Sequence, residues 1–264
     1  FADGGADGGI TLADIADLTI TTEIGGTGGG NIAVNIPIAG TAGDGDDATD
    51  VTMTAGSGTI SVEDITTDIN DVLLTSTGGI SLDGTITTAT DSDETGNESG
   101  VVTLTGPVTL AGNTTIDTDS DSNNGAVTLT STVDGGNTLT ITSGSGAVQF
   151  GGNVGATTAI SDLTVNSTGG TGAITFSGNV GASATSAGAA VVTIGNAATA
   201  SITFAGVEFT TSGLQLFTAD AYSITGADST FGSSNDNITF ADGGADGGIT
   251  LADIADLTIT TEIG

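Results

Sequence analysis

GVVTLTGPV at residues 100–108, GAVTLTSTV at 125–133, GAVQFGGNV at 146–154 and GAITFSGNV at 172–180 share one plan. Each has a glycine, a short run in which apolar and polar residues alternate, a turn, and a valine. Alternation with a period of two puts Val, Ile, Leu and Phe on one side of a strand and Thr or Gln on the other. A further alternating run precedes many such units: LTIT at 18–21, VTMT at 51–54, LTIT at 139–142, LTVN at 163–166 and VTIG at 192–195. The separators SGSG, STGGTG and DGG are turn chemistry, because Gly and Asn adopt backbone conformations that other residues avoid. Nothing of length has a 3.6-residue period, so essentially no α-helix is expected.

Aligned on their first apolar residue, the units begin at Ile10, Ile32, Ile60, Ile80, Val102, Val127, Val148, Ile174, Ile202, Ile224 and Ile249. Ten units therefore fill 239 residues, about 24 residues each. Ile224 is the weakest member, because SITGAD has no apolar residue two places on. A longer repeat encloses them: FADGGADGGITLADIADLTITTEIG stands at 1–25 and again, letter for letter, at 240–264. Residues 1–239 thus read as one block and 240–264 as the start of the next, with no polar cap apparent at either end.

One unit offers roughly five or six aliphatic side chains, or about 10 kcal/mol of burial at ~1.5–3 kcal/mol each. Fixing its backbone costs about 1–2 kcal/mol per residue, which is more. Such units are stable only when stacked. The expected fold is all-β, a parallel β-solenoid of about ten rungs per 239 residues, with the unequal spacings absorbed as loops at the corners. Phe150, Phe176 and Phe204 share one phase in three successive units, as a stacked core ladder would. A sandwich would need tight hairpin signals, and only NNG at 123–125 offers one.

Composition removes most chemistry. The 264 residues include no Lys, Arg, His, Cys or Trp, against 32 acids and a formal net charge of −32. The chain is too rich in regularly placed Ile, Val and Leu for disorder. Without cations it offers nothing to phosphates, so no nucleic-acid partner is expected. Without imidazole or thiol it lacks the usual general base, nucleophile and zinc ligands. No enzyme activity, required cofactor or membrane insertion of this segment is expected. It also contains no site for trypsin-like proteases, which suits an exposed fibre.

VVTLTGPVTLAGNTTIDTDSDSNNGAVTLTSTVDGGNTLTITSGSGAVQFGGNVGATTAISDLTVNSTGG, residues 101–170, resembles the Thr/Gly-rich repeats of filamentous-haemagglutinin-like and other giant β-strand-repeat surface proteins. The resemblance is to a degenerate pattern and extends over most of the chain. It implies a parallel, right-handed β-helix, secretion to the cell surface, and a part in adhesion or extracellular architecture. The chain departs from that pattern in lacking every basic residue and in repeating a long block identically. The expected function is a structural building block of an extracellular filament, its partners identical repeats placed end to end, in one giant chain or a homopolymer. The alternative is an adhesin stalk or a surface- or glycan-binding module, for which Phe209, Phe217, Tyr222 and Phe231 are the candidate exposed aromatics, although a locally larger core or an inter-filament contact is the favoured reading of that cluster. Outward Thr19/Thr21, Thr52/Thr54 and Thr140/Thr142 resemble the ranks of ice-binding solenoids. Breaks at Leu73, Asp117, Asn166 and Gly195 argue against a flat ice face.

Acidic clusters carry the remaining chemistry. Asp117, Asp119, Asp121 and Asn123 alternate in DTDSDSNN, a spacing of hard oxygen donors that suits Ca2+, although the distal bidentate Glu of an EF-hand loop is missing. Asp44, Asp46, Asp47 and Asp50 in DGDDATD, and Asp91, Asp93 and Glu94 in DSDETGNES, are weaker candidates. Asp3 and Asp7 match calcium nonapeptide spacing poorly. A column of ten rungs is about 48 Å long at ~4.8 Å per rung. Its 27 acids per block approach the linear charge density of duplex DNA, about one charge per 1.7 Å. Divalent cations are therefore expected to bundle such filaments laterally. Asn97, Asn113, Asn166 and Asn237 begin glycosylation sequons, a weak signal in a Thr-rich chain.

Overall fold

The computed structural model describes residues 9–12, 17–22, 28–40, 49–88, 100–119, 124–181, 189–206, 208–234, 236–244, 247–251 and 256–261. Among these residues all regular elements are strands, and they pair in parallel. The chain is a β-solenoid, each coil of which visits three faces in turn.

The first face is a ten-stranded sheet. It stacks Leu18–Thr21, Thr49–Gly56, Ile69–Ser76, Val102–Thr105, Val127–Leu129, Val148–Phe150, Ile174–Phe176, Ser201–Phe204, Ala221–Ile224 and Ile249–Leu251. The second face runs from Ile32–Val34 through Ile60–Val62 and the opening residues of Ile80–Thr87 and Val108–Asp117. It continues through Val133, Val154 and Val180 to Glu208–Thr211, Ser229–Ser233 and Leu257–Thr261. The third begins at Ile10–Thr11, passes Ile38–Ala39, Ile65–Thr66, Leu139–Thr142, Ile160–Val165, Ala189–Gly195 and Gln215–Ala219, and ends at Ile238–Asp242. Ile80–Thr87 lies on both the second and third faces and turns between them at Gly84, whose φ of +124° suits only glycine.

Register is set like with like. On the first face Val102, Val127, Val148, Ile174 and Ile202 form one column, and Leu104, Leu129, Phe150, Phe176 and Phe204 form the next. These residues are buried. The expected aromatic ladder is present: Phe150 and Phe176 stack with centroids 4.8 Å apart and planes within 2°, and Phe204 follows at 5.9 Å. Thr103, Thr128, Gln149, Thr175 and Thr203 stand between these columns on the outer surface, as the alternation requires.

The leading glycine of the quoted units now has a cause. A Cβ on Gly146 would run into the carbonyl of Gly125, and one on Gly172 into that of Gly146. Coils one strand spacing apart leave no room for a side chain at that corner.

Two details of the alignment change. The eleven starting residues do not share one position: Ile10 is on the third face, Ile32, Ile60 and Ile80 are on the second, and Val102 to Ile249 are on the first. Alternation marks an inward residue but not the face it belongs to. Ile224 also stacks on Phe204, the second column, while the first-column residue of its coil is Tyr222 on Ile202. Measured on the first face from Leu18 to Ile249, nine turns take 231 residues, about 26 each.

Replacing Phe176 by Ala removes a ring clasped between two others, so unfolding stability is expected to fall by about 3–5 kcal/mol. Urea unfolding followed by far-ultraviolet circular dichroism checks this against Thr175→Ala on the outer surface, expected within about 0.5 kcal/mol of the parent.

Candidate functional site

Three acidic excursions were singled out from sequence, and their roots occupy one corner. The chain leaves the third face at Gly40, Thr88 and Asp119, and re-enters the first at Thr49, Gly100 and Asn124. The rungs at their roots are stacked, so one edge of the prism sends out all three. Asp44, Asp46, Asp47, Asp91, Asp93, Glu94, Asp121 and Asn123 lie outside the described residues, as do Asp3 and Asp7.

The described members have identified contacts. Asp117 ends its strand between Thr87 and Thr142, and its Oδ1 accepts the Asp119 N–H at 3.0 Å, a turn that starts the excursion. Asp50 belongs to a ladder running up the corner. Asp17 Oδ1 accepts the Asp50 N–H at 3.1 Å, Asp50 Oδ1 accepts the Asp71 N–H at 3.0 Å, and Asp71 Oδ1 accepts the Val101 N–H at 2.8 Å. Each carboxylate ties down the coil above it. Among the described residues no three acidic side chains are grouped closely enough to hold a metal ion.

What closes these excursions was not read from sequence. Thr88, Thr118 and Ser143 occupy the position just past the third face and are buried, although polar. Their hydroxyls donate to the carbonyls of Gly100 at 2.8 Å, Gly125 at 2.6 Å and Gly146 at 2.8 Å. The same clamp spans a long excursion after Thr88, a shorter one after Thr118 and a tight turn after Ser143. Loop length and content are thereby separated from the stack. The signal was available: a hydroxyl residue two places after inward Ile86, Ile116 and Ile141, and a glycine two places before Val102, Val127 and Val148.

The candidate aromatics are in the interior. Phe209, Phe217, Tyr222 and Phe231 are all buried, the most accessible being Tyr222 at 5%. Phe204 meets Phe209, Phe217 and Phe231 edge-on at 5.0–5.5 Å. They enlarge the core locally and form no exposed aromatic surface. The Tyr222 hydroxyl accepts the Ala219 N–H at 3.0 Å and lies within hydrogen-bonding reach of the Phe217 and Ala241 carbonyls. Burial pushes its pKa above the ordinary 10.0, and the Asp242 carboxylate pushes the same way.

Outward threonines form rows of limited length. Thr85, Thr115, Thr140, Thr164 and Thr193 run unbroken on the third face, but Leu73 interrupts the first-face row between Thr52 and Thr103. Of the sequon residues, Asn97 lies outside the described residues. Asn166 is buried and accepts the Ser143 N–H at 2.7 Å. Asn113 accepts the Thr138 N–H at 3.1 Å, and Asn237 is exposed.

Comparison with protein-family models, curated proteins and solved structures finds no match to this chain. The arrangement defines it as a parallel β-solenoid.

Two outcomes are expected. Thr88→Val removes the hydroxyl that donates to the buried Gly100 carbonyl and lowers stability by about 1–3 kcal/mol, whereas Thr88→Ser retains most of it; thermal melting of the two variants checks this. The second concerns alkali. An unfolded Tyr222 releases its proton near pH 10 while the folded one holds it, so stability declines as pH rises above 10. No Lys, Arg, Cys or second Tyr titrates there. A Tyr222→Phe variant should lose that decline in melting temperature between neutral pH and pH 11.

Proposed function

We propose that the chain is a building block of an extracellular, cell-surface filament in which such blocks follow one another end to end. What supports this most is the last coil. Ile249–Leu251 and Leu257–Thr261 carry the sequence of 10–12 and 18–22, and they continue the parallel ladders of Ala221–Ile224 and Ser229–Ser233 without a change of register. The sequence that opens a block also serves to continue one. The inward residues of that coil remain uncovered, with Ile249 at 45%, Leu251 at 42% and Ile259 at 49% exposure. A further coil would bury them at about 25 cal/mol per Å².

Composition fits the same role. A chain without Lys or Arg offers nothing to trypsin-like proteases, and one without His or Cys is chemically quiet. The likeness of residues 101–170 to filamentous-haemagglutinin-like repeats supports secretion to the cell surface. Lateral association through Ca2+ or Mg2+ belongs to the same reading, because within a block the roots of the three acidic stretches share one edge. An adhesin or glycan-binding module would need a recognition surface other than the four aromatics, which are buried.

A protein of several consecutive blocks should image as an unbroken fibre with a ~4.8 Å axial spacing in diffraction. Adding Ca2+ should bundle the fibres at low salt, and chelator should disperse them. Separate globular beads would defeat the filament reading, and indifference to both reagents would defeat the cation part alone.

A further inference from the structure

The two identical 25-residue segments are placed on different faces. Ile10–Thr11 lies on the third face against Ile38–Ala39, while Ile249–Leu251, its counterpart 239 residues on, lies on the first face against Tyr222–Ile224. Leu18–Thr21 lies on the first face against Val51–Thr54, while its counterpart Leu257–Thr260 lies on the second against Ser229–Gly232. Both parts of the segment have moved on by one face, in the direction the chain winds. Between Ile10 and Ile249 the chain completes nine turns and then one face more.

We infer that successive blocks are joined with a rotation of one face, so that a column of them repeats its surface every third block and not every block. This rests on the end-to-end reading above. Three features of the molecule carry it. The inward set is unchanged by the move: Ile and Leu of the ITL run, and Leu and Ile of the LTIT run, occupy core columns in both settings. The segment therefore specifies inside and outside without specifying a face. The same offset also gives each free edge a matching occupant. After Leu257–Thr261 on the second face, the counterpart of Ile32–Val34 falls on the third, above Ile238–Asp242. The counterpart of Ile38–Ala39 then falls on the first face above Ile249–Leu251, which restores the pairing that Ile38 makes with Ile10. Finally, the half-exposed Ile249, Leu251 and Ile259 are the residues those counterpart strands would cover.

The consequence is chemical. In one block the acidic excursions leave at the corner between the third and first faces. One block on they leave between the first and second, and then between the second and third. Over about 28 coils, roughly 135 Å at ~4.8 Å per coil, the column presents acids along all three edges. Divalent cations would then meet such a fibre equally from every side.

The absence of cysteine makes the offset directly readable. In the 264-residue chain, Thr230→Cys with Thr258→Cys places two outward thiols on neighbouring rungs of the second face. Ser223→Cys with Thr258→Cys joins residues that would be neighbours only if the second copy kept the face of the first, as Thr19 keeps beside Thr52. A short thiol cross-linker such as dibromobimane should close the first pair in high yield and leave the second open; the reverse overturns the offset. Helical reconstruction of a three-block protein supplies the other readout. Equivalent residues one block apart should differ by one third of a turn beyond the coil-to-coil twist measured inside a block. A continuous column with equivalent residues in line overturns the offset and leaves the filament standing. Isolated beads overturn both.

Discussion

Each coil is held by hydrogen bonds to the coil beneath it in a parallel ladder that sets residue against its own counterpart, and everything else follows from that register. Inside, the rule rewards sameness. Val102, Val127 and Val148 stack into one column, and Leu129, Phe150 and Phe176 into another, with no inversion of phase. A shift of one residue would turn every inward side chain outward, so the apolar columns lock the register as much as the backbone does. The corners inherit the constraint. Coils this close admit only glycine at Gly100, Gly146 and Gly172, and the hydroxyl of the residue before the turn satisfies the carbonyl that the turn would strand.

Outside, the same rule penalises sameness of charge. Two carboxylates on adjacent rungs, about 4.8 Å apart, repel by roughly 1 kcal/mol even in water, and the chain has no Lys or Arg to set between them. Acids within the paired strands accordingly face neutral neighbours: Asp117 faces Thr87 and Thr142, Asp134 faces Thr109, Asp162 faces Val191, Glu208 faces Thr230 and Asp242 faces Ala219. Where acids do follow one another, as Asp17, Asp50 and Asp71 do, each carboxylate accepts an amide hydrogen of the next coil. The rest of the denser acidic runs, at 44–47, 91–94 and 121, lie outside the described residues.

Sequence revealed the fold class because period-two alternation and stacked glycine turns are strong local signals. Units with a glycine two places before the first-face strand, at Val102, Val127, Val148 and Ile174, aligned correctly, as did Ile202 and the phenylalanine ladder. The earlier units did not. In them the first face reads LTIT, VTMT or VLLT, which by pattern alone resembles third-face LTIT and LTVN. Inward polar residues were the other blind spot. Thr88, Thr118 and Ser143 look like ordinary outward threonines and serines until their glycine partners are found across the loop. Tyr222 remained a candidate outward aromatic because nothing local shows that its hydroxyl meets backbone groups of Ala219 and Phe217 just before it and of Ala241 a coil later. Gln215 likewise stands in a column otherwise built of Leu139, Leu163 and Val192, its amide donating to Phe209 and Gly232 carbonyls. Side-chain bonds to backbone groups across a turn, a loop or a coil leave no mark on the apolar alternation.

That blindness also explains how one segment can serve on two faces. If strands named their face, the copy at 240–264 would be forced onto the faces taken by the copy at 1–25. They do not: each face asks only that alternate residues pack inward, and most of these are aliphatic. The corners are no more particular: glycine is crowded before the first face, as at Gly146, and equally before the second, as at Gly178 and Gly206, while the chain turns through Gly84 between second and third. A strand therefore takes its face from the number of corners that precede it. In a periodic chain of such units, the length of the block relative to the coil, and not the content of any strand, sets how one block is rotated on the next.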